Sequence, residues 1–176
     1  DTADVSVSIS AVNDAPVLAS VSDVSFDEDG SGAVSLSASD VDGDDLTYSI
    51  TGGSDITASI SGADITFSSS TNFNGSEEFT VSVSDGEYTD SQSIMVTVNA
   101  VNDAPVLDSI SDQDINEDGI FTYSLLATDV DSNDLSYTAT FVDGAYNIDI
   151  SESTLTVTPD LNYNGNIFIT IEVSDL

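Results

Sequence analysis

Lysine, arginine, histidine and cysteine are all missing from this sequence, and each absence removes a class of function. Without Lys and Arg there is no basic patch for nucleic acid or an anionic membrane surface, and no cationic cradle for phosphate. Without Cys there is no disulfide framework and no thiolate zinc site. Acid–base chemistry would have to rest on carboxylates and tyrosines alone. Tryptophan is absent too, which weakens any case for a sugar-stacking platform. No apolar run approaches the roughly 20 residues that span a bilayer.

What the chain has instead is acid. Its 176 residues include 33 Asp and Glu, for a formal net charge of −33. Ordinary domains carry charges of both signs, whereas here no carboxylate has a side-chain cation to pair with. Repulsion on this scale opposes compaction, so relief has to come from salt or bound divalent metal. Acidic chains poor in aromatics can be disordered. The 39% hydrophobic content and its regular alternation argue for a fold.

The sequence repeats itself. Val-Asn-Asp-Ala-Pro-Val-Leu occupies residues 12–18 and recurs 89 residues on, at 101–107. At the same spacing Glu28-Asp29-Gly30 returns as Glu117-Asp118-Gly119, and Asp40-Val41-Asp42 as Asp129-Val130-Asp131. Beyond one inserted residue the spacing becomes 90: Asn72-Phe73-Asn74-Gly75 matches Asn162-Tyr163-Asn164-Gly165, and Val83-Ser84-Asp85 matches Val173-Ser174-Asp175. Inside a repeat, apolar residues alternate, as in Leu46, Tyr48 and Ile50, or Phe79, Val81 and Val83, or Ile94, Val96 and Val98. Period two means half-buried strands, and no window carries a helical stripe. The fold class expected is all-β, as tandem seven-stranded antiparallel Greek-key sandwiches of the immunoglobulin or cadherin kind. Asn74-Gly75 and Asn164-Gly165 read as tight turns.

Residues 1–10 align with residues 90–99, the last strand of the complete repeat. The expected organisation is therefore residues 1–13 as the last strand of a preceding repeat, 14–102 as a complete repeat, and 103–176 as a second repeat lacking its last strand. Two arrangements fit: a piece of a longer tandem array, or a filament subunit whose first strand completes its neighbour's last repeat. The partner in either case is a neighbouring repeat or subunit, met head to tail.

Calcium takes six to eight oxygen ligands, and this chain offers little else. Asp40 and Asp42, like Asp129 and Asp131, stand two apart at a strand end, where both carboxylates can face one side and a divalent ion between them would offset their repulsion. An EF-hand is excluded, because Gly43 falls at the fourth place of such a loop and Thr51 at the twelfth. For each acidic motif the competing reading is a solvated turn.

Taken together, these motifs resemble the cadherin family and its bacterial cadherin-like relatives, the tandem repeats of surface adhesins. Ala38-Ser39-Asp40-Val41-Asp42 with Leu46-Thr47-Tyr48-Ser49-Ile50, the strand end Val83-Ser84-Asp85, and Asn102-Asp103-Ala104-Pro105 carry the resemblance. It implies Ca2+ at each junction between repeats. Glu28, Asn102, Asp103, Asp129, Asp131 and Asp175 would serve the complete junction; Asn13, Asp14, Asp40, Asp42 and Asp85 the preceding one; Glu117 the next. Ala100 and Ala11 stand where the family has its first linker aspartate, and the Asp-Arg-Glu triplet has no counterpart around residues 71–74, so one or two ions per junction are expected.

The function expected is a non-enzymatic, calcium-stiffened extracellular stalk of a bacterial surface adhesin or fibre, any glycan or surface ligand being bound elsewhere in the parent protein. A carbohydrate-binding accessory module is the alternative from another class. Most Phe and Tyr residues fall at core-alternating positions such as Phe79, Tyr48 and Tyr137, which speaks against it.

Overall fold

The computed structural model describes residues 1–142 and 144–175. Among them no helix forms, and the chain divides into two compact units, Asp1–Val101 and Asn102–Leu176. The all-β class and tandem immunoglobulin-like sandwiches expected from the alternation are what the structure has.

Unit 1 contains β1 (Val17–Leu18), β2 (Val24–Asp27), β3 (Gly32–Ser35), β4 (Ala38–Ser39), β5 (Thr47–Gly52), β6 (Ile56–Ser61), β7 (Asp64–Ser69), β8 (Gly75–Ser84) and β9 (Thr89–Asn99). One sheet runs β2-β9-β8-β5 and the other β3-β7-β6, with β1 on β4. Alternation places Phe79, Val81 and Val83 of β8 and Ile94, Val96 and Val98 of β9 on one inner face, against Ile56, Ile65 and Phe67 from the other sheet. The Phe67 and Phe79 rings meet edge to face at 5.3 Å and 71°.

One pair departs from the expected antiparallel pattern: β2 runs parallel to β9, with Val24 opposite Val96 and Asp27 opposite Asn99. The chain leaves β1, which pairs with β4, and then joins the edge of the four-stranded sheet as β2. Residues at the start of β9 tie down that segment. The Asp90 carboxylate accepts from the Leu18 N–H at 2.8 Å, and the Gln92 amide both accepts from and donates to the Val21 backbone, at 3.1 and 2.6 Å.

Unit 2 contains β10 (Val106–Leu107), β11 (Phe121–Ser124), β12 (Ala127–Thr128), β13 (Leu135–Phe141), β14 (Tyr146–Ser151), β15 (Thr154–Pro159) and β16 (Ile169–Asp175). Its sheets are β11-β15-β14 and β13-β16, with β10 on β12. Nothing in it corresponds to β9 among the described residues. The segment matching β2, residues 113–116, accordingly forms no strand.

The expected turn at Asn74-Gly75 is displaced. The bend lies at Thr71 and Asn72, closed by the Phe73 N–H donating to the Ser70 carbonyl at 3.2 Å, and Gly75 already opens β8. Gly75 has φ +155° and lies under the Phe73 ring, which a Cβ would approach to 3.1 Å. Asn72 and its counterpart Asn162 hold positive φ, and their N–H groups donate to Asp29 and Asp118.

Glu77 clamps the β5–β6 turn. Its carboxylate accepts from the Ser54 hydroxyl at 2.6 Å and from the Ser54, Asp55 and Ile56 N–H groups at 2.9, 3.1 and 2.9 Å. The Ser54 hydroxyl first, then these amides, hold its pKa down at about 2. A carboxylate depressed in the folded state stabilises fully above its unfolded pKa and ceases to as pH falls through the folded value. Glu77→Gln should therefore lower stability by about 1–2 kcal/mol at neutral pH. It should also flatten the acid limb between about pH 4.5 and 2, as read from denaturant melts across that range.

Candidate metal centres

Five sequence-predicted ligands of unit 1, Asn13, Asp14, Asp40, Asp42 and Asp85, gather at one end, and Glu28 stands apart from them. Asp40 follows β4 directly, so its carboxylate lies at the strand end, and its Oδ1 accepts from the N–H groups of Asp42 at 2.9 Å, Gly43 at 3.0 Å and Asp44 at 3.4 Å. That network folds the loop back, and oxygens of Asp40, Asp42 and Asp44 all fall within 4.8 Å of one another. Asp42 Oδ2 accepts from the Asp14 N–H at 2.8 Å. Asn13 donates to Asp85 Oδ2 at 2.9 Å, binding the linker to the end of β8.

Unit 2 repeats the arrangement with its own residues. Asp129 Oδ1 accepts from the Asp131 and Ser132 N–H groups at 2.8 and 2.7 Å. Asp131 Oδ2 accepts from the Asp103 N–H at 2.7 Å, and Asn102 donates to Asp175. Two segments separated by 89 or 90 residues thus fold into the same hydrogen-bonded knot.

In both knots one carboxylate oxygen shapes the loop and the other is left over. Asp40 Oδ2 and Asp129 Oδ2 are shielded from solvent and have no hydrogen-bond partner. Among the described residues Glu28 is the buried acid, 6% exposed; its Oε1 accepts from the Val101 N–H at 2.6 Å while its Oε2 is shielded and unpartnered. A desolvated carboxylate oxygen without a donor or cation is costly, and this sequence has no side-chain cation to supply. Hard, oxygen-only donors of this kind suit calcium.

The electrostatics agree with crowding. The Asp44 carboxyl is raised above its ordinary value by desolvation and then by repulsion from Asp40, Asp42, Asp85 and Asp45. Asp85 moves the other way, held down chiefly by the Tyr88 N–H donating to it at 2.6 Å. Asp44 was not singled out by sequence reasoning, although the acidic run from Asp40 to Asp45 contained the signal. Glu117, the counterpart of Glu28, sits exposed in a turn.

Residues 13–97 match the family described as Bacterial Ig domain, and residues 101–176 the family described as Cadherin-like domain. The chain is a tandem of a bacterial Ig domain and a cadherin-like domain. Domains of these two families are typically non-catalytic. The resemblance seen in the linker and Asp-x-Asp motifs is thus carried by the whole of the second unit, while the first falls within the bacterial Ig family. Solved structures share the fold of the pair: human protocadherin-24 EC1-2 aligns at a TM-score of 0.58 with 20% identity, covering 91% of this chain and 95% of that one. Drosophila N-cadherin EC1-4 aligns at 0.56 with 14% identity, covering 92% and 48%. Chitinase A of Pseudoalteromonas piscicida is 36% identical over 108 residues. That match takes in 59% of this chain and 13% of the chitinase.

Proposed function

We propose that the Ig and cadherin-like domains form a segment of an extracellular bacterial stalk or spacer, stiffened by calcium bound at the ends of its domains. The observation that carries this reading is the set of shielded, unpartnered oxygens on Glu28, Asp40 and Asp129, each on a residue that the sequence motifs had picked as a ligand. Asn13, Asp14, Asp40, Asp42 and Asp85 would hold calcium at the start of the Ig domain, with Asp44 as a further ligand. Asn102, Asp103, Asp129, Asp131 and Asp175 would do so at the start of the cadherin-like domain, and Glu28, whose carboxylate accepts from the Val101 N–H, would offer its free oxygen at the end of the Ig domain. When bound, calcium would supply positive charge and fix the linker. The protein's own part is to hold the oxygens ready by the Asp40 and Asp129 amide networks.

Calorimetric titration of calcium into the metal-free chain should give saturable binding. Asp40→Asn and Asp129→Asn should each remove one group of sites and leave the other. Absence of binding heat, or heat unchanged in both variants, would dismiss the reading.

The likeness to part of a chitinase supports a second reading in which the same spacer lies within a secreted polysaccharide-degrading protein. Stiffening by calcium is common to both, and the parent protein's other domains decide between them.

A further inference from the structure

The two acidic knots match donor for donor with one exception. Asn13 corresponds to Asn102, Asp14 to Asp103 and Asp85 to Asp175, beside the paired Asp-x-Asp motifs. The exception is Asp44, whose counterpart 89 residues on is Asn133. A carboxylate in the Ig domain is thus a neutral carboxamide in the cadherin-like domain. Gly43, next to it, is replaced by Ser132.

The backbone follows the exchange. Gly43 takes a left-handed φ of +81°, a conformation that Ser132 does not share. This step turns the chain back on itself, so that Asp40 Oδ1 reaches a third amide, that of Asp44 at 3.4 Å. The Asp44 carboxylate thereby comes within 4.8 Å of the Asp40 and Asp42 oxygens. In the cadherin-like domain Asp129 Oδ1 accepts from two amides among the described residues. The loop then closes differently, by the Asp134 N–H donating to Ser132 Oγ at 3.1 Å. Both loops keep one shielded oxygen that no donor reaches, Asp40 Oδ2 in the first and Asp129 Oδ2 in the second. The focus of the site is common to the two domains, and the charge around it is not.

We propose that position 44 and its counterpart 133 set the calcium affinity of the two domains, with the Ig-domain site the tighter. The inference rests on the calcium reading above and adds to it an order of filling. Affinity in oxygen-only sites is tuned by the number of charged ligands and by the rigidity of the loop that carries them. The Ig-domain loop leads on both counts, through the extra carboxylate of Asp44 and the third amide held by Asp40. Its site fills over a range of calcium concentration in which that of the cadherin-like domain is still largely empty. The segment therefore stiffens in two steps as calcium rises.

The test is calorimetric titration of calcium into the full chain in two backgrounds, at physiological sodium chloride. Asp129→Asn leaves the Ig-domain site to be read alone, and Asp40→Asn leaves that of the cadherin-like domain. The first background should bind calcium more tightly than the second. Adding Asp44→Asn to the first should weaken binding by roughly tenfold or more, since a full negative charge is lost from beside a divalent ion. Asp45→Asn removes the same charge one residue further on, and salt screening should hold its effect to about threefold or less. In the second background, Ser132→Gly with Asn133→Asp copies the Ig-domain loop and should tighten binding by roughly tenfold. Residues 44, 45 and 133 are exposed, and circular dichroism in chelator checks that each variant keeps its fold. Absence of calcium heat from every chain would remove the stalk reading and this inference with it. Heat in both backgrounds with equal affinities, equal losses from Asp44→Asn and Asp45→Asn, or a copied loop that binds no tighter would each overturn the inference alone.

Discussion

Calcium at a hundred times its dissociation constant should raise the melting temperature by roughly 10–20 °C over the value in chelator. An ion that binds only the folded form contributes about 2.7 kcal/mol at that saturation, and a domain of this size gains about 4–8 °C per kcal/mol. Only the folded form offers the complete sites, because Asn13, Asp42 and Asp85 converge from distant parts of the sequence, as do Asn102, Asp131 and Asp175. Net charge alone would also make the chain sensitive to salt. The comparison therefore belongs in a background of sodium chloride at physiological strength, where exposed charges are screened beyond about 8 Å. Asp131→Ala should abolish most of the rise in the cadherin-like domain, since it removes a proposed ligand and also the acceptor that fixes Asp103. Equal melting temperatures in calcium and chelator would sink the stalk mechanism.

How much of this could be read from the sequence differs between fold and site. Strands such as β8 and β9 were legible because alternation is a local consequence of burying one face of a sheet. The knots were legible too, since their parts lie in motifs that recur at fixed spacing. The long-range partnerships were not. The parallel placement of β2 depends on Gln92 and Asp90 gripping a segment some seventy residues earlier, and no local pattern encodes that. The Glu77 clamp joins β8 to the turn at Ser54, while its counterpart in the repeat is Ile167, so repetition gave no hint of it. Motif position had marked Glu28 as a ligand, but its burial follows from the passage of β9 beside it. The turn placed at Asn74-Gly75 moved to Thr71 and Asn72 because Asp29 captures the Asn72 N–H, again through a contact distant in sequence.

Phe79→Ala should bring the Ig domain close to unfolding in chelator, and calcium should restore part of what is lost. Truncating a fully buried Phe costs about 3–5 kcal/mol, against a total of about 5–15 kcal/mol for a typical domain. Here the ring is 1% exposed and braced by Phe67, and a Cβ on Gly53 would come within 2.4 Å of it, so the surrounding backbone has little freedom to collapse into the cavity. Phe79 lies on β8, whose end delivers Asp85 to the acidic cluster beside Asn13. Any ion held there requires β8 in place, so calcium binding and core packing draw on the same strand. Calorimetry should resolve this directly: the transition of the Ig domain should fall sharply in the variant, that of the cadherin-like domain should stay near its original temperature, and calcium should move the first back upward. If the variant's Ig domain melted at the same temperature with and without calcium, Asp40, Asp42 and Asp85 would be shaping a loop and holding no ion.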